Sequence, residues 1–421
     1  MRRWCGVLFA AASFVALVAG PARAQTTDDF FNGDALQRID LLVNSRDWAA
    51  LKANFRANDY YPADMIWQGQ TIRNLGIRSR GGGSRNANKP GLRVDIDRYD
   101  TEQTFLGLKS FILDNMTQDA TGMHERVAMR FYALMGIPAP REAHVRLFVN
   151  NEYAGLYAIV ESIDKSFLRR VFGNSATGVE NDGYLFEYKY ATPWYFEYLG
   201  ANLDAYAALF GPVTHENAST FGLYDPVEQM FRAINNGSDD QFASATGAYL
   251  DLKLFMRYVA VQSFIAEWDG ILGYAGVNNF YLYRFENSTR SQWIPWDEDN
   301  AFRALDYPIL PGYEQNVLVR RAMKVPDLRA AFIDGLTAAA ALAAATDGAG
   351  SAGWLEREVQ LERGLISESI RADTTKPFTN EEFEAGADAL LAFARSRTAF
   401  VQCEVRKLTD PQAAGTACAA Q

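Results

Sequence analysis

The stretch Glu267-Trp-Asp269-Gly-Ile-Leu-Gly-Tyr-Ala-Gly-Val-Asn278-Asn279-Phe-Tyr-Leu-Tyr283 constrains this chain more than any other, together with Trp293-Ile-Pro-Trp-Asp297-Glu-Asp299-Asn300-Ala-Phe302 after it. Two aromatic, β-prone runs separated by the polar segment 284–292 predict a hairpin. Asp269 and the two asparagines precede it, and Asp297 and Asp299 follow it. An acid, an amide, a hairpin and an acid cluster form an order from which one short piece of chain can assemble a base and a Mg²⁺ cage for phosphoryl transfer.

The first residues read as a leader. Arg2 and Arg3 supply the charged start, Trp4 to Val18 the apolar run, and Ala22-Arg23-Ala24 the cleavage site, so residues 1–24 are expected to be removed and the mature chain to be secreted or periplasmic. The apolar run is shorter than the roughly 20 residues of a membrane anchor, and Gly20-Pro21 follows it, so the mature form is expected to have no membrane span. The chain carries 41 Lys and Arg against 51 Asp and Glu, and the leader takes three of those arginines with it, so nucleic acid is not an expected partner. Hydrophobic residues at 48% and aromatics at 13% describe a folded chain with one large domain or two packed lobes. Cys5 leaves with the leader. Cys403 and Cys418 are then the mature cysteines, and an oxidising compartment predicts a disulfide between them, with two unpaired thiols as the alternative.

Between residues 36 and 190 alternating apolar runs predict strands at Ile39–Val43, Met65–Trp67, Ile72–Ile77, Leu92–Ile96, Ser110–Leu113, His144–Val149, Leu156–Val160 and Tyr184–Tyr188. A helix is expected from Ser45 as its cap and another over Gly122–Met135. Beyond Ala191 helices dominate. Asp225-Pro-Val-Glu228 predicts a helix start, Asp251 opens a helix that runs to Glu267, and Thr379-Asn-Glu-Glu382 is a capping box for a long last helix. The fold class is therefore α+β, with a strand-rich lobe over 25–190, a helix-rich lobe over 191–402 that carries the hairpin, and a tail over 403–421.

Several motifs have two readings. Gly76-Ile-Arg78-Ser-Arg80-Gly81-Gly82-Gly83-Ser84-Arg85 through Lys89 and Arg93 is a glycine turn with five flanking cations, either a hairpin tip or an anion site whose backbone N–H groups and guanidiniums meet phosphate. It lacks the ending of a P-loop. Glu125 either pairs with Arg93 or Lys89 or is simply an acid in a first helical turn. Glu161-Ser-Ile-Asp164 either forms a nucleotide hinge at a strand exit, or Asp164 caps the next helix. Asp269 is a candidate base for a hydroxyl, Asn278 or Asn279 offers an amide oxygen to a cation, and Asp297 and Asp299 would project to one side if the chain stays extended. A Ser-hydrolase elbow and zinc-ligand histidine spacing are absent from the sequence, and neighbouring acids such as Glu267 and Asp269 suit glycoside hydrolysis poorly.

In this order the motifs resemble the spore-coat protein H (CotH) kinase family. The resemblance rests on Ile77-Arg78-Ser-Arg80-Gly81 with Lys89 and Arg93, Glu125 with Gly136-Ile-Pro-Ala-Pro140, Gly155-Leu-Tyr to Glu161, Gly183-Tyr-Leu-Phe-Glu-Tyr-Lys189, Asp269 to Asn278-Asn279-Phe-Tyr-Leu-Tyr, and Trp296-Asp297-Glu-Asp299-Asn-Ala-Phe302. It implies an atypical protein-kinase-like, two-lobed fold that uses ATP with Mg²⁺ or Mn²⁺ to phosphorylate Ser or Thr of a protein substrate. Asp269 would be the catalytic acid, Asn278, Asn279, Asp297 and Asp299 the metal ligands, and Arg80, Lys89, Arg93, Glu125 and Glu161 the nucleotide contacts. Gly83-Ser84-Arg85 and Lys89-Pro90 depart from the family's Ser-Ser and paired lysines, and Arg93 stands where a strand Lys or Arg is expected. The alternative expectation, from the leader and the scarcity of ATP outside cells, is a secreted surface-assembly or polysaccharide-associated binding module on the same fold.

Overall fold

The computed structural model describes residues 24–173, 181–348, 350–413, 415 and 417–418. The expected leader, apart from Ala24, lies outside them.

Seven strands close into a barrel: β1 (Gln37–Val43), β2 (Tyr61–Trp67), β3 (Gln70–Ser79), β4 (Leu92–Asp95), β5 (Ser110–Asp114), β6 (Glu142–Val149) and β7 (Glu152–Glu161), in the order β1-β2-β3-β4-β5-β7-β6. Each matches one of the predicted apolar alternations, β4 stopping one residue short of Ile96, because those residues face the barrel interior. Ile39, Leu41, Met65, Trp67, Leu75, Ile77, Leu92, Val94, Leu113, Val145 and Leu147 are fully buried there. Asn150 and Asn151 both take left-handed backbone angles, 52° and 68°, as the two-residue turn from β6 to β7 requires. Phe30, from the short helix Thr27–Phe30, meets Trp67, Phe105 and Phe111 edge-on at 5.3, 5.1 and 5.0 Å between centroids. The ring closes where β1 runs parallel to β6, Gln37 opposite Val145.

A second sheet of four strands has the order β11-β10-β8-β9, with β8 (Tyr184–Tyr188), β9 (Phe210–Pro212), β10 (Phe280–Arg284) and β11 (Ser291–Pro295). The predicted hairpin is β10 and β11. The last N-terminal alternation, β8, pairs with β10 rather than with the barrel. The sheet rests on the outside of the barrel through Ile112, Ala158 and Val160 against Leu185, Tyr281, Tyr283, Ile294 and Trp296. That contact sets the glycine turn after β3 across from the end of the hairpin.

The helices share the largest core. Asp251 caps the helix Leu252–Phe264 by accepting the Leu254 N–H at 3.0 Å, and this helix stops three residues before the expected Glu267. Its final carbonyls are satisfied by the fully buried Arg397 of the last helix, Asn380–Thr409. Its guanidinium donates to Phe264 O (2.8 Å) and Ser263 O (2.6 Å), and also to Leu305 O and Tyr307 O. The Thr379–Glu382 capping box forms as expected. The helix expected to open at Asp225 instead begins at Thr220 under Ser219 and runs to Asn235 with Pro226 inside it. Proline cannot bond the carbonyl four residues back. Arg284 takes that carbonyl, Nη2 to Gly222 O at 2.9 Å, which lets the helix continue. Cys403 and Cys418 are joined as a disulfide. Among the described residues no helix is long and apolar enough to cross a membrane.

Candidate active site

Register brings the polar ends of the hairpin together. Phe280 and Pro295 are the last paired residues of β10 and β11, and the Trp296 N–H then donates to Asn279 O at 3.2 Å. Asn278 and Asn279 on one strand and Asp297 on the other thus leave the sheet side by side. Asp269 reaches them from the loop after the Leu252–Phe264 helix. Its Oδ2 accepts from Asn278 Nδ2 at 3.1 Å and Asn279 Nδ2 at 3.3 Å. An ionised carboxylate only accepts, so both NH₂ groups turn to it, and among the described residues both amide oxygens are left to another donor or a cation. Asn279 and Asp297 have left-handed φ of 59° and 58°, strain of the kind found at functional sites.

The opposite wall is the glycine turn after β3. Gly81 has φ of 116°, and a Cβ there would stand 2.4 Å from Ser84 Oγ, so this position needs glycine. Arg85 ties the turn down. Its Nε donates to Gly81 O at 2.8 Å, and its Nη atoms to Arg56 O at 2.7 Å and Asn58 Oδ1 at 2.6 Å. Asn115 holds the far side of the turn by donating to Ser84 O and Lys89 O. Burial, then the neighbouring Arg78 and Arg80, push the Arg85 guanidinium below its ordinary value. Crowded cations of this kind are relieved by an anion. Arg80 lies over the Trp296 ring at 5.3 Å and 3.8 Å from Asp114 Oδ2.

The two walls enclose a cavity of about 400 Å³ lined by Arg78, Arg80, Gly81, Gly82, Arg85, Asp114, Glu187, Lys189, Asn278, Asn279, Trp296 and Asp297. Its acidic side is strained electrostatically. Asp297 is exposed within the cleft, yet the protein packed around it and then Asp114 push its carboxyl up to about 6, against the pull of Arg80. Glu125 does not line the cavity; burial, then Glu142, Asp114, Asp297 and Asp299, hold its carboxyl well above the usual carboxylate range. Burial also raises Asp269, opposed by Asn278 and then Asn279. Acids pressed together in this way fit a hard cation. Among the described residues no three His, Cys, Asp or Glu side chains gather as a complete cage. Magnesium usually takes one or two carboxylates and fills its octahedron with water and phosphate oxygens, which Asp297 with an asparagine oxygen matches.

Other expected residues lie elsewhere. Lys89 does not line the cleft: it is buried and paired with Asp373 at 2.8 Å. Arg93 points to Ser110 Oγ (3.3 Å) and Asp95 (3.9 Å), so among the described residues no ion pair joins Glu125 to Arg93 or Lys89. The Glu161 carboxylate is clamped by Arg141 (2.8 Å) and Arg170 (2.6 Å), and Asp164 caps the helix Lys165–Phe172, so the plainer reading of that strand exit holds. Asp297 and Asp299 do not share an extended face. The left-handed turn at Asp297 sends Asp299 to a neighbouring hollow with Asp119, His124 and Trp268, where its carbonyl accepts from His124 Nδ1 at 3.0 Å. Asp114 was missed because it ends a strand whose apolar signal stops at Leu113. Lys189 and Glu187 were visible only as part of the Gly183–Lys189 motif.

Comparison with known proteins agrees with the order of these motifs. The chain is 25% identical over 330 residues to the invasin CotH3 of Rhizopus delemar, covering 73% of this chain and 51% of that protein. It is 23% identical over 320 residues to the inner spore coat protein H of Bacillus subtilis, covering 72% of this chain and 80% of that one. It therefore spans about half the length of the fungal invasin but most of the bacterial coat protein. Among solved structures, the proinflammatory kinase CtkA of Helicobacter pylori superposes with a TM-score of 0.30 at 10% identity, over 76% of this chain and 95% of that one. HipA of Shewanella oneidensis gives 0.32 at 14%, over 75% and 65%. The model of the CotH kinase protein family matches residues 77–401, more than three quarters of the sequence, and the chain belongs to that family.

Proposed function

We propose that the chain is a secreted, atypical, two-lobed kinase that transfers the γ-phosphate of ATP to Ser or Thr of a protein, with Mg²⁺ as its metal. The observation that carries this reading is a single cleft with three arginines and a glycine turn on one wall and Asp269, Asn278, Asn279 and Asp297 on the other. The phosphates would lie against Arg80 and the backbone N–H groups of the turn, with Arg78 and Arg85 adding positive field. Asp297 and an oxygen of Asn278 or Asn279 would hold the metal, which when bound neutralises charge that develops on the transferred group. Asp269, fixed by two amides, would orient the acceptor hydroxyl and take its proton. Its raised carboxyl makes it a better base than a free aspartate at the same ionisation.

Secretion accords with the leader-like start and with relatives named as invasins and as a spore coat protein. A second reading, a binding module without turnover, is favoured by one observation. Lys89, the lysine expected at the phosphates, is locked to Asp373. Labelled ATP and purified mature protein separate the two. A thermal shift with ATP that requires Mg²⁺ or Mn²⁺, plus label transfer lost in Asp269→Asn, supports the kinase; a shift without transfer to any acceptor supports the module.

A further inference from the structure

Behind the cleft, the loop of Asp269 and the segment of Asp297 are joined by Gln262, a side chain 4% exposed near the end of the Leu252–Phe264 helix. Its Oε1 accepts the Ile271 N–H at 2.8 Å, and its Nε2 donates to Glu298 Oε1 at 3.1 Å. The same Glu298 oxygen accepts from the Tyr132 hydroxyl at 3.1 Å. Tyr132 lies near the end of the helix His124–Leu134, and His124 at its start donates to the carbonyl of Asp299. One helix thus holds the Asp297–Asp299 segment at two points, the Glu298 side chain and the Asp299 carbonyl. A Cβ on residue 270 would stand 2.4 Å from Gln262 Nε2, so Gly270 makes room for this amide.

We propose that Gln262 is a positioning residue for phosphoryl transfer, setting the Asp269 loop against the Asp297 segment and, through Glu298 and Tyr132, making both follow the His124–Leu134 helix. The inference rests on the kinase reading of the cleft. An amide suits the post because its two ends differ: one must accept from a backbone N–H while the other donates to a carboxylate. Methionine fills the same space and does neither. Nucleotide affinity, set mainly by the glycine turn across the cleft, should not depend on it.

The test uses Gln262→Met, Tyr132→Phe and the double variant of the mature protein, with steady-state transfer and amide hydrogen exchange over residues 268–278. Gln262→Met is expected to lower kcat about 100-fold with KM for ATP unchanged, as loss of about an ångström of alignment does. Tyr132→Phe should lower kcat about fivefold, the equivalent of one hydrogen bond. Both should speed exchange over 268–278, and the double variant should be no worse than Gln262→Met alone. Unchanged kcat beside a lowered melting temperature would overturn the proposal, since a purely structural network gives that pattern. So would unchanged exchange over 268–278 in Tyr132→Phe. If the wild type transfers no phosphate the kinase reading falls, and the exchange arm still decides the coupling. If Gln262→Met fails to fold, Tyr132→Phe decides it alone.

Discussion

Lys89 Nζ lies 2.8 Å from Asp373 Oδ2, and the pair is shut off from solvent between the glycine turn of the barrel and the end of the helix Trp354–Ala372. Asp373 also accepts the Leu156 N–H at 3.1 Å, and Gly155 admits it, since a Cβ there would meet Oδ2 at 2.5 Å. Burial pushes the Lys89 ammonium below its ordinary value. Asp373, against the cost of its own burial, is held low by Lys89. Removing one partner strands the other, so Lys89→Met should cost about 3–5 kcal/mol in urea unfolding. The ATP-dependent thermal shift of the folded fraction should survive; its loss would return Lys89 to the phosphates.

Arg80 is one of the cations that do face the cleft, and it lies over Trp296. Arg80→Ala should weaken ATP about tenfold, the loss of one charge-assisted contact. Arg80→Lys should recover only part of it, because an ammonium neither spreads over Trp296 nor offers a fork. Isothermal titration with and without Mg²⁺ checks both.

Asp297 connects stability with activity. Its folded value, about 6, is above that of a free aspartate, so its charge is better tolerated in the unfolded chain, and the resulting cost to the fold is complete above pH 6. That cost develops between the ordinary aspartate value and about 6, so Asp297→Asn should raise the melting temperature fully at pH 8 in metal-free buffer, in part at pH 5, and little at pH 3. If Asp297 holds the metal as proposed, the same change should reduce transfer at least about 100-fold. A variant that loses activity and stability together at pH 8 would contradict this account.

His144 gives the opposite slope. It is fully buried on β6, its Nε2 donates to Gly122 O at 2.7 Å, and burial followed by Arg126 lowers it to about 4. The unfolded chain binds the proton near 6.5, so the stability this residue contributes is present above pH 6.5 and is lost as pH falls toward 4. That loss approaches about 3 kcal/mol. Urea titrations of wild type and His144→Gln at pH 7 and pH 4.5 should show the variant losing less on acidification.

Much of the fold could be read from local chemistry. Apolar alternation marked every barrel strand because each faces one closed interior, and Thr379 and Asp251 marked helix starts because their side chains satisfy N–H groups a few residues away. What escaped depended on distant partners. Pro226 reads as a helix start until Arg284 takes the carbonyl it leaves free. Lys89 and Arg93 sit in a cationic run, but Asp373, far along the chain, decides where Lys89 points. At the site, residue types and order were legible, because Asp269, Asn278, Asn279 and Asp297 lie on one hairpin and the loop before it. The split between Asp297 and Asp299 was not, since it depends on a left-handed φ at a residue other than glycine.

The barrel's closure has a consequence in time. The Val43 N–H donates to Asn150 Oδ1 at 2.9 Å across 107 residues, beside the parallel pairing of β1 and β6. The first strand has no partner on that side until the sixth has been made, so closure comes late and slowly, on the milliseconds-to-seconds scale of non-local β pairing. Once shut, the ring reopens only by breaking a whole ladder at once. The wall that carries the glycine turn should therefore outlast many openings of the helices around it.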